Sequence, residues 1–358
     1  MSGADPYDAL LVLSFGGPEG PEDVIPFLEN VTRGRGIPRE RLAEVGEHYF
    51  GFGGVSPING QCRALVAALE REFAAAGLDL PVYWGNRNWK PLVADTFAQM
   101  AEDGVERVLV FVTSAYSSYS GCRQYREDLA RAVAAGGGAT AGIKVDRIRA
   151  YFDHPGFIEP MISSTVAALD GLSADVRDQA ELVFVTHSLP EALAASSAYV
   201  AQHEAVAGLV ARGVEAATGI SRPTALVYCS RSGPPSQPWL EPDVGDHLRS
   251  RREAGARAAA VVPIGFVSDH MEVVYDLDTE AAAVADKIGL EFARAATVGV
   301  DPRFVGAIRD LVEERAAAER GEAVEAESLS PLGPLPGVCV PGCCPNLRGA
   351  VPALCGSD

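Results

Sequence analysis

A chain of 358 residues with 48 acidic against 30 basic side chains carries a formal charge of −18, which argues against nucleic acid as a partner, because phosphate binding needs a basic face. Apolar residues make up 47% and charged ones 22%, a balance that supports a buried core and excludes disorder over most of the length. At roughly 150 residues per domain the length suits two domains and a remainder. No apolar run approaches the roughly 18 residues of a membrane span, and the opening MSGADPYDALLVLSFGG lacks the basic flank of a signal peptide. A cytoplasmic protein acting on small molecules is expected. Three lysines stand against twenty-seven arginines, which reads as a coding bias and carries no functional weight.

In chain order, short apolar runs rich in β-branched and aromatic residues recur as ALLVLSF (9–15), LPVYWG (80–85), ERVLVFVTS (106–114), IKVDRIRAY (143–151), AELVFVTHS (180–188), TALVYCS (224–230), AAAVVPIGFV (258–267) and GLEFARAATV (289–298). Longer segments with helical periodicity lie between them, such as GQCRALVAALEREFAAAG, where Leu65, Leu69 and Phe73 form one stripe ending at Gly77. Strand and helix alternate, so an α/β fold is expected, with parallel sheets wrapped by helices and eight strands dividing into two sheets of about four. The glycine-rich AAGGGATAG (134–142) suggests the join, giving units at 1–142 and 143–320, with a final helix that can pack back on the first. From residue 321 to 358 a Pro/Gly-punctuated linker leads to a cysteine-rich tail.

In parallel sheets ligands gather outside the carboxyl ends of strands, so the loops leaving the strands are where chemistry is expected. The glycine-rich SFGGPEGPEDV and FGFGGVSPING match neither GxGxxG nor the P-loop, and read as tight turns. The loop VTHSLPEAL ends a strand at His187, with Ser188 and Glu191 spaced as a capping box. The run GFVSDHMEVVYDLDTE repeats that arrangement: Asp269 is placed to cap and Glu272 to reach back. On a helix Glu272, Asp276 and Glu280 would form a row of carboxylates, each like-charge pair costing a few tenths of a kcal/mol, roughly. A row that starts where a strand ends suits the path of a divalent cation.

Seven cysteines are unevenly spread, with Cys339, Cys343, Cys344 and Cys355 in the last twenty residues. The C-x₃-C-C spacing is not that of common zinc sites; three thiolates need a fourth ligand and select zinc or an iron–sulfur cluster.

The segments LLVLSFGGP, RGRGIP, GGVSPI, THSLP, SRSGPPSQPWLEPD and PIGFVSDHMEVVYDLD resemble, in order over residues 7 to about 315, the ferrochelatases, which insert Fe²⁺ into a porphyrin. FLENVTRGRGIP, YWGNRNW, SSYSGCRQYRE and the cysteine tail are similar to the actinobacterial branch, whose members act on coproporphyrin III to make Fe-coproporphyrin III, a late step of heme b synthesis. The resemblance implies two similar Rossmann-like lobes around a porphyrin cleft, an enzyme, and Fe²⁺ as substrate. It places His187 and Glu272 as the pair facing the porphyrin centre, His187 contacting metal and accepting a proton, Glu272 on the opposite or adjoining side of the ring. Which of them takes the first pyrrole proton stays open. Asp276 and Glu280 would extend an outer metal path.

For the macrocycle, Ser56, Tyr125, His48 and Tyr49 match porphyrin-contacting positions, and Arg33, Arg35 and Arg87 are candidates to pair with propionates through their guanidinium groups. Phe15 stands where related bacterial enzymes carry a tyrosine that ligates the product iron, so that axial bond is expected to be absent or supplied elsewhere. The stretch after THSLPE is shorter than in relatives. By resemblance Cys122, Cys339, Cys343 and Cys344 would hold a [2Fe–2S] cluster, leaving Cys355 spare and Cys62 and Cys229 as packing thiols. Protoporphyrin IX as substrate, and a non-catalytic tetrapyrrole or iron–sulfur carrier, are the competing readings. Transient contact with neighbouring heme-pathway enzymes fits the resemblance.

Overall fold

A computed structural model describes residues 3–34, 36–233 and 236–357. Strands form where the apolar runs fall: β1 (Ala9–Ser14), β2 (Val82–Asn86), β3 (Arg107–Val112) and β4 (Lys144–Arg147) make one sheet in the order β2-β1-β3-β4. The second sheet repeats that order as β6-β5-β7-β8, from β5 (Glu181–His187), β6 (Thr224–Cys229), β7 (Ala258–Val262) and β8 (Glu291–Arg294). Every pairing is parallel. β1 and β7 are buried end to end, and β5 up to its last residue; strands covered on both faces read as unbroken apolar runs rather than alternating ones.

Helices supply the cover. Leu65, Leu69 and Phe73 lie on the buried face of the helix Ile58–Ala76, which stops at Gly77 in a left-handed conformation, φ 70°. The central core is shared: Leu10 and Phe111 of the first sheet, Phe184 of the second, and Phe157, Phe304 and Ile308 from the helices between them belong to one cluster.

The sheets do not part at residue 142. β4 pairs with β3 from Arg107↔Lys144 to Val110↔Arg147, so the strand after the glycine-rich stretch completes the first sheet instead of opening the second lobe. The glycines only turn the chain from the helix Gln124–Ala135 back to its own sheet edge; the passage to the second sheet comes later, through the helix Pro155–Asp170. The last helix, Pro302–Glu319, lies against Ile58–Ala76 and Pro155–Asp170, with Arg315 paired to Asp146 at 3.0 Å.

Loops at the carboxyl ends of the strands tie the lobes together. Tyr116 donates its hydroxyl to the Ile264 carbonyl at 2.8 Å; the Ser117 N–H donates to Gln202 Oε1 at 2.8 Å; the Asp269 N–H donates to Gln61 Oε1 at 2.9 Å. No helix among the described residues is long and apolar enough to cross a membrane.

Candidate active site at the carboxyl ends of the strands

His187 is the last residue of β5, paired to Cys229 of β6, and its place is set from behind. Tyr199 donates to the His187 carbonyl at 2.9 Å, and its hydroxyl lies 2.7 Å from Thr186 Oγ1. His203 lies 2.9 Å from the same Thr186 oxygen and stacks on Tyr116. Gly265 lets the loop after β7 close over this network: a Cβ there would sit 2.1 Å from Thr186 Oγ1. The imidazole Nδ1–H donates to the Ser188 carbonyl, which leaves Nε2 as the atom that faces outward. It meets Glu272 Oε1 at 3.4 Å.

Glu272 arrives from β7, the strand on the other side of β5 from β6, on the short helix Met271–Tyr275 that follows it. Its cap differs from the expected one. His270, not Asp269, caps the helix, its Nδ1 accepting the Glu272 N–H at 3.1 Å, because Asp269 is taken by Arg294 (3.2 Å) and Thr297 (3.1 Å). Ser188 likewise does not cap: its hydroxyl donates to the Leu240 carbonyl at 2.8 Å, and Pro190 precedes the helix Glu191–Ala194. Sequence reasoning missed His270, whose Nε2 lies 3.8 Å from Glu272 Oε2, since imidazole is not among the preferred capping groups.

The row beyond Glu272 does not run along a plain α-helix. Asp276–Ala281 is a π-helical segment, a rare local form frequent at functional sites, and the α-helix Ala282–Ile288 follows it. Ser230, at the end of β6 with φ 61°, donates to Asp276. A non-glycine residue held in that region is strained, and such strain concentrates at functional sites. Ser230, Asp243, Asp276 and Glu280 line part of a cavity of about 180 Å³. A second cavity, about 240 Å³, lies between Gln61, Cys62 and Leu65 on one side and Val267 and Ser268 on the other.

Charge couples these groups. Burial alone would lower His187, but the Glu272 carboxylate, by its charge and hydrogen bond, outweighs it and raises the imidazole to about 9. Burial opposes ionisation of Glu272, yet His187 holds it down to about 2. The side chains are 30% and 46% exposed, so water weakens the coupling without reversing it. Burial, then the Glu272 and Glu280 carboxylates, raise Asp276 to about 7 against the Ser230 hydrogen bond. Burial, against Glu272, lowers His270.

The first lobe faces this pair with aromatic rings. His48 stacks on Tyr275 at 3.8 Å, bringing the helix Arg39–Phe50 against Met271–Tyr275. Tyr49 packs edge-on to Phe27, and burial followed by the Glu272 and Asp276 charges pushes its hydroxyl well up. Phe15, 36% exposed, lies under the Arg87 guanidinium, 5.6 Å from its carbon to the ring centre, and Tyr125 lies on that cation too, at 4.8 Å. Arg87 Nε is 2.9 Å from Asp128, so this arginine is already paired rather than open to a propionate. Tyr125 and Ser56 are buried, 5% and 4% exposed; a Cβ on Gly17 would meet Ser56 at 2.7 Å, so that glycine lets the first loop lie against it. Arg33 is exposed and donates to Asn30 at 2.8 Å. Arg35 lies outside the described residues.

The tail returns to the first lobe. Cys122, Cys339 and Cys344 form a buried cluster with Cys343 against it. The Sγ atoms of Cys122 and Cys339 are 4.0 Å apart, and those of Cys343 and Cys344 3.7 Å. Hydrogen bonds from Cys339 and Cys344, then the Arg147 charge, hold Cys122 well below the ordinary thiol value despite burial. Hydrogen bonds from the same two cysteines lower Cys343 as well. No three His, Cys, Asp or Glu side chains among the described residues converge to cage a single metal ion. Cys355 donates to the Val145 carbonyl at 3.3 Å, and Cys62 and Cys229 are buried, 2% and 1% exposed.

The ferrochelatase family model matches residues 7–316. The chain is 58% identical to the coproporphyrin III ferrochelatase of Streptomyces coelicolor, over 99% of this chain and 97% of that one, and 58% identical to that of Streptomyces griseus over the same shares. The Frankia alni protein of that name is 55% identical over 95% of this chain and 87% of its own length. Among solved structures, SirB from Bacillus subtilis with Fe³⁺ superposes with a TM-score of 0.52 at 11% identity, over 87% of this chain and 97% of that one. That likeness extends to the fold.

Proposed function

The chain belongs to the ferrochelatase family, and from that premise we propose that it inserts Fe²⁺ into coproporphyrin III, yielding Fe-coproporphyrin III and two protons for heme synthesis. One observation carries the assignment of the site: His187 Nε2 and Glu272 Oε1, from strand ends 85 residues apart in the chain, meet at 3.4 Å beside the aromatic groups of the other lobe.

The reaction asks for three things: a ferrous ion stripped of water, two pyrrole N–H protons removed, and a macrocycle held flat against the donors. Fe²⁺ accepts neutral imidazole and carboxylate ligands. With Nδ1–H committed to Ser188, Nε2 is the lone pair offered to metal or to a pyrrole proton. In the metal-free site His187 keeps its proton against Glu272, so an arriving dication replaces that proton and satisfies the carboxylate in its stead. Glu272 and His187 then lie on the same side of the ring centre, adjoining rather than opposite. Asp276, raised to about 7, shares a proton readily near neutrality, and with Ser230 and Glu280 it offers the outward route for protons and the inward route for iron. Tyr49 and His48, with Phe15 beneath Arg87, form the wall against which the porphyrin lies; Arg33 and Arg35 are the arginines left for propionates.

The second part of the reading is a [2Fe–2S] cluster on Cys122, Cys339, Cys343 and Cys344. Two thiolates on one tetrahedral metal with bonds of about 2.3 Å stand about 3.8 Å apart. Two of the sulfur separations, Cys122 to Cys339 at 4.0 Å and Cys343 to Cys344 at 3.7 Å, are near that spacing, and four thiols gathered at one place are the donor set such a cluster takes. When bound, such a group supplies one-electron redox capacity and ties the tail to the first lobe.

Insertion assays with coproporphyrin III and protoporphyrin IX, run on the protein and on His187→Ala, test the enzyme reading. Faster turnover of coproporphyrin III is expected, with insertion by His187→Ala down at least 100-fold while porphyrin still binds. Unchanged insertion by the variant removes His187 from the chemistry, and a preference for protoporphyrin IX reassigns the substrate.

A further inference from the structure

Arg147 ends β4 and is 5% exposed. A guanidinium that deep demands an anion, because an unpaired buried charge costs several kcal/mol or more, roughly. Its neighbour on the chain shows the usual solution: Arg149, also buried, reaches Glu314 with two nitrogens at 2.7 and 3.1 Å. Arg147 has no carboxylate within ion-pair distance among the described residues. Its Nε donates to the Ile148 carbonyl at 3.3 Å, and its terminal Nη1 points at sulfur: 2.7 Å from Cys122 Sγ and 3.7 Å from Cys339 Sγ. The charge that balances this buried cation therefore has to sit on the cysteines.

We propose that Arg147 is the fixed counter-charge of the cysteine centre and raises its reduction potential, an inference that rests on the cluster reading above. Four thiolates and two sulfides around two ferric ions would carry formally two negative charges, and three once one iron took up an electron, with no proton moved. A cation in contact with two of the ligand sulfurs stabilises both states but the reduced one more. The hydrogen bond to Cys122 also draws density from that sulfur, which acts in the same direction.

The full-length protein, Arg147→Gln and Arg147→Lys are purified without oxygen. Iron and acid-labile sulfide per chain and the visible spectrum are measured, and the midpoint is then titrated with dithionite and mediators, reading the reduced cluster by electron paramagnetic resonance. Arg149→Gln, which loses an ordinary carboxylate pair, is the control for damage to the same region. Loss of the charge in Arg147→Gln is expected to shift the reduction equilibrium at least tenfold toward the oxidised state, equal to about 59 mV for a one-electron couple. Arg147→Lys is expected to shift it less, and Arg149→Gln to lower the melting temperature without moving the midpoint. If Arg147→Gln does not fold, the comparison between Arg147→Lys and Arg149→Gln decides. Cluster content and midpoint identical in protein and Arg147 variants overturn the inference alone, as does an equal shift in Arg149→Gln. A native protein without iron and sulfide overturns the cluster reading, and this inference with it.

Discussion

The two lobes repeat one strand order, and the segments that follow β3 and β7 occupy corresponding places in it. Each carries a proposed site residue ten residues past the strand's end, Cys122 after Val112 and Glu272 after Val262, and each contains a π-helical turn, Tyr119–Arg123 and Asp276–Ala281. What differs is how negative charge is balanced. The thiols of the first lobe are buried against a fixed cation, Arg147. In the second lobe no lysine or arginine among the described residues reaches ion-pair distance of Glu272, Asp276 or Glu280; Arg249 lines the cavity beside Asp276 and Glu280 but is paired to Asp246 at 2.8 Å, and the groups paired to Glu272 are the imidazoles of His187 and His270. Anions that keep a resident cation suit a resident centre. Anions left facing one another, with titratable imidazoles as their paired counterweight, suit a cation that comes and goes, which is what a ferrous substrate does.

Removing charge at the centre of the second lobe tests that contrast most severely. Glu272→Gln should lower kcat/KM for iron insertion by about 10²- to 10⁴-fold, the range for loss of a positioned acid–base group. A second readout comes from stability. His187 is raised above its ordinary 6.5 to about 9 and Glu272 lowered from 4.5 to about 2, so the pair stabilises the fold fully between about pH 4.5 and 6.5, and that contribution fades as pH rises through 9. Melting temperatures of the native protein should therefore fall across that rise, and those of Glu272→Gln should be flatter there. An equal slope in both would mean that the pair is not coupled.

Asp276→Asn probes the repulsion in the row and should act more mildly, slowing insertion a few-fold when iron is limiting. Its effect on stability has the opposite sign. A carboxyl raised from 3.8 to about 7 binds its proton more tightly in the folded state, so the native protein loses stability as pH climbs from about 4 to 7. The asparagine carries no such penalty, and the melting temperature of the variant should gain on that of the native protein across this interval. A constant difference between the two at pH 4 and 7 would remove the repulsion argument.

How much of this was legible before any coordinates depends on whether the information was local. The eight strands were, because buried parallel strands leave unbroken apolar runs, and the stripe Leu65, Leu69, Phe73 with Gly77 gave one helix and its end. His187 and Glu272 could be singled out as residues at strand ends, but their 3.4 Å approach depends on β5 and β7 pairing, which no local pattern states. The boundary at 142 misled because a glycine cluster marks a turn, not which sheet the next strand joins. His270 as cap, the positive φ of Ser230 and the capture of Arg87 by Asp128 arise from competition among partners brought together only by the fold. Asp269 looked like the better cap until Arg294 and Thr297 took it.

The ends of β1 and β5 offer the last and smallest test. They are equivalent positions, each at the carboxyl end of the second strand in its sheet order, and one presents Phe15 where the other presents His187. Phe15 is 36% exposed and packs edge-on to Phe27 beneath the Arg87 guanidinium. A tyrosine would keep the ring and its packing, since only a hydroxyl is added at the exposed end. Phe15→Tyr should thus change the rate of insertion by no more than about twofold, well under the ~1.4 kcal/mol of a tenfold effect. The visible spectrum of bound Fe-coproporphyrin III should nevertheless shift, because a phenolate oxygen could then reach the product iron from the first lobe, on the face away from His187. A spectrum identical to that of the native product complex would mean that Phe15 does not lie over the ring centre, and that the wall opposite the His187–Glu272 pair is built by other groups.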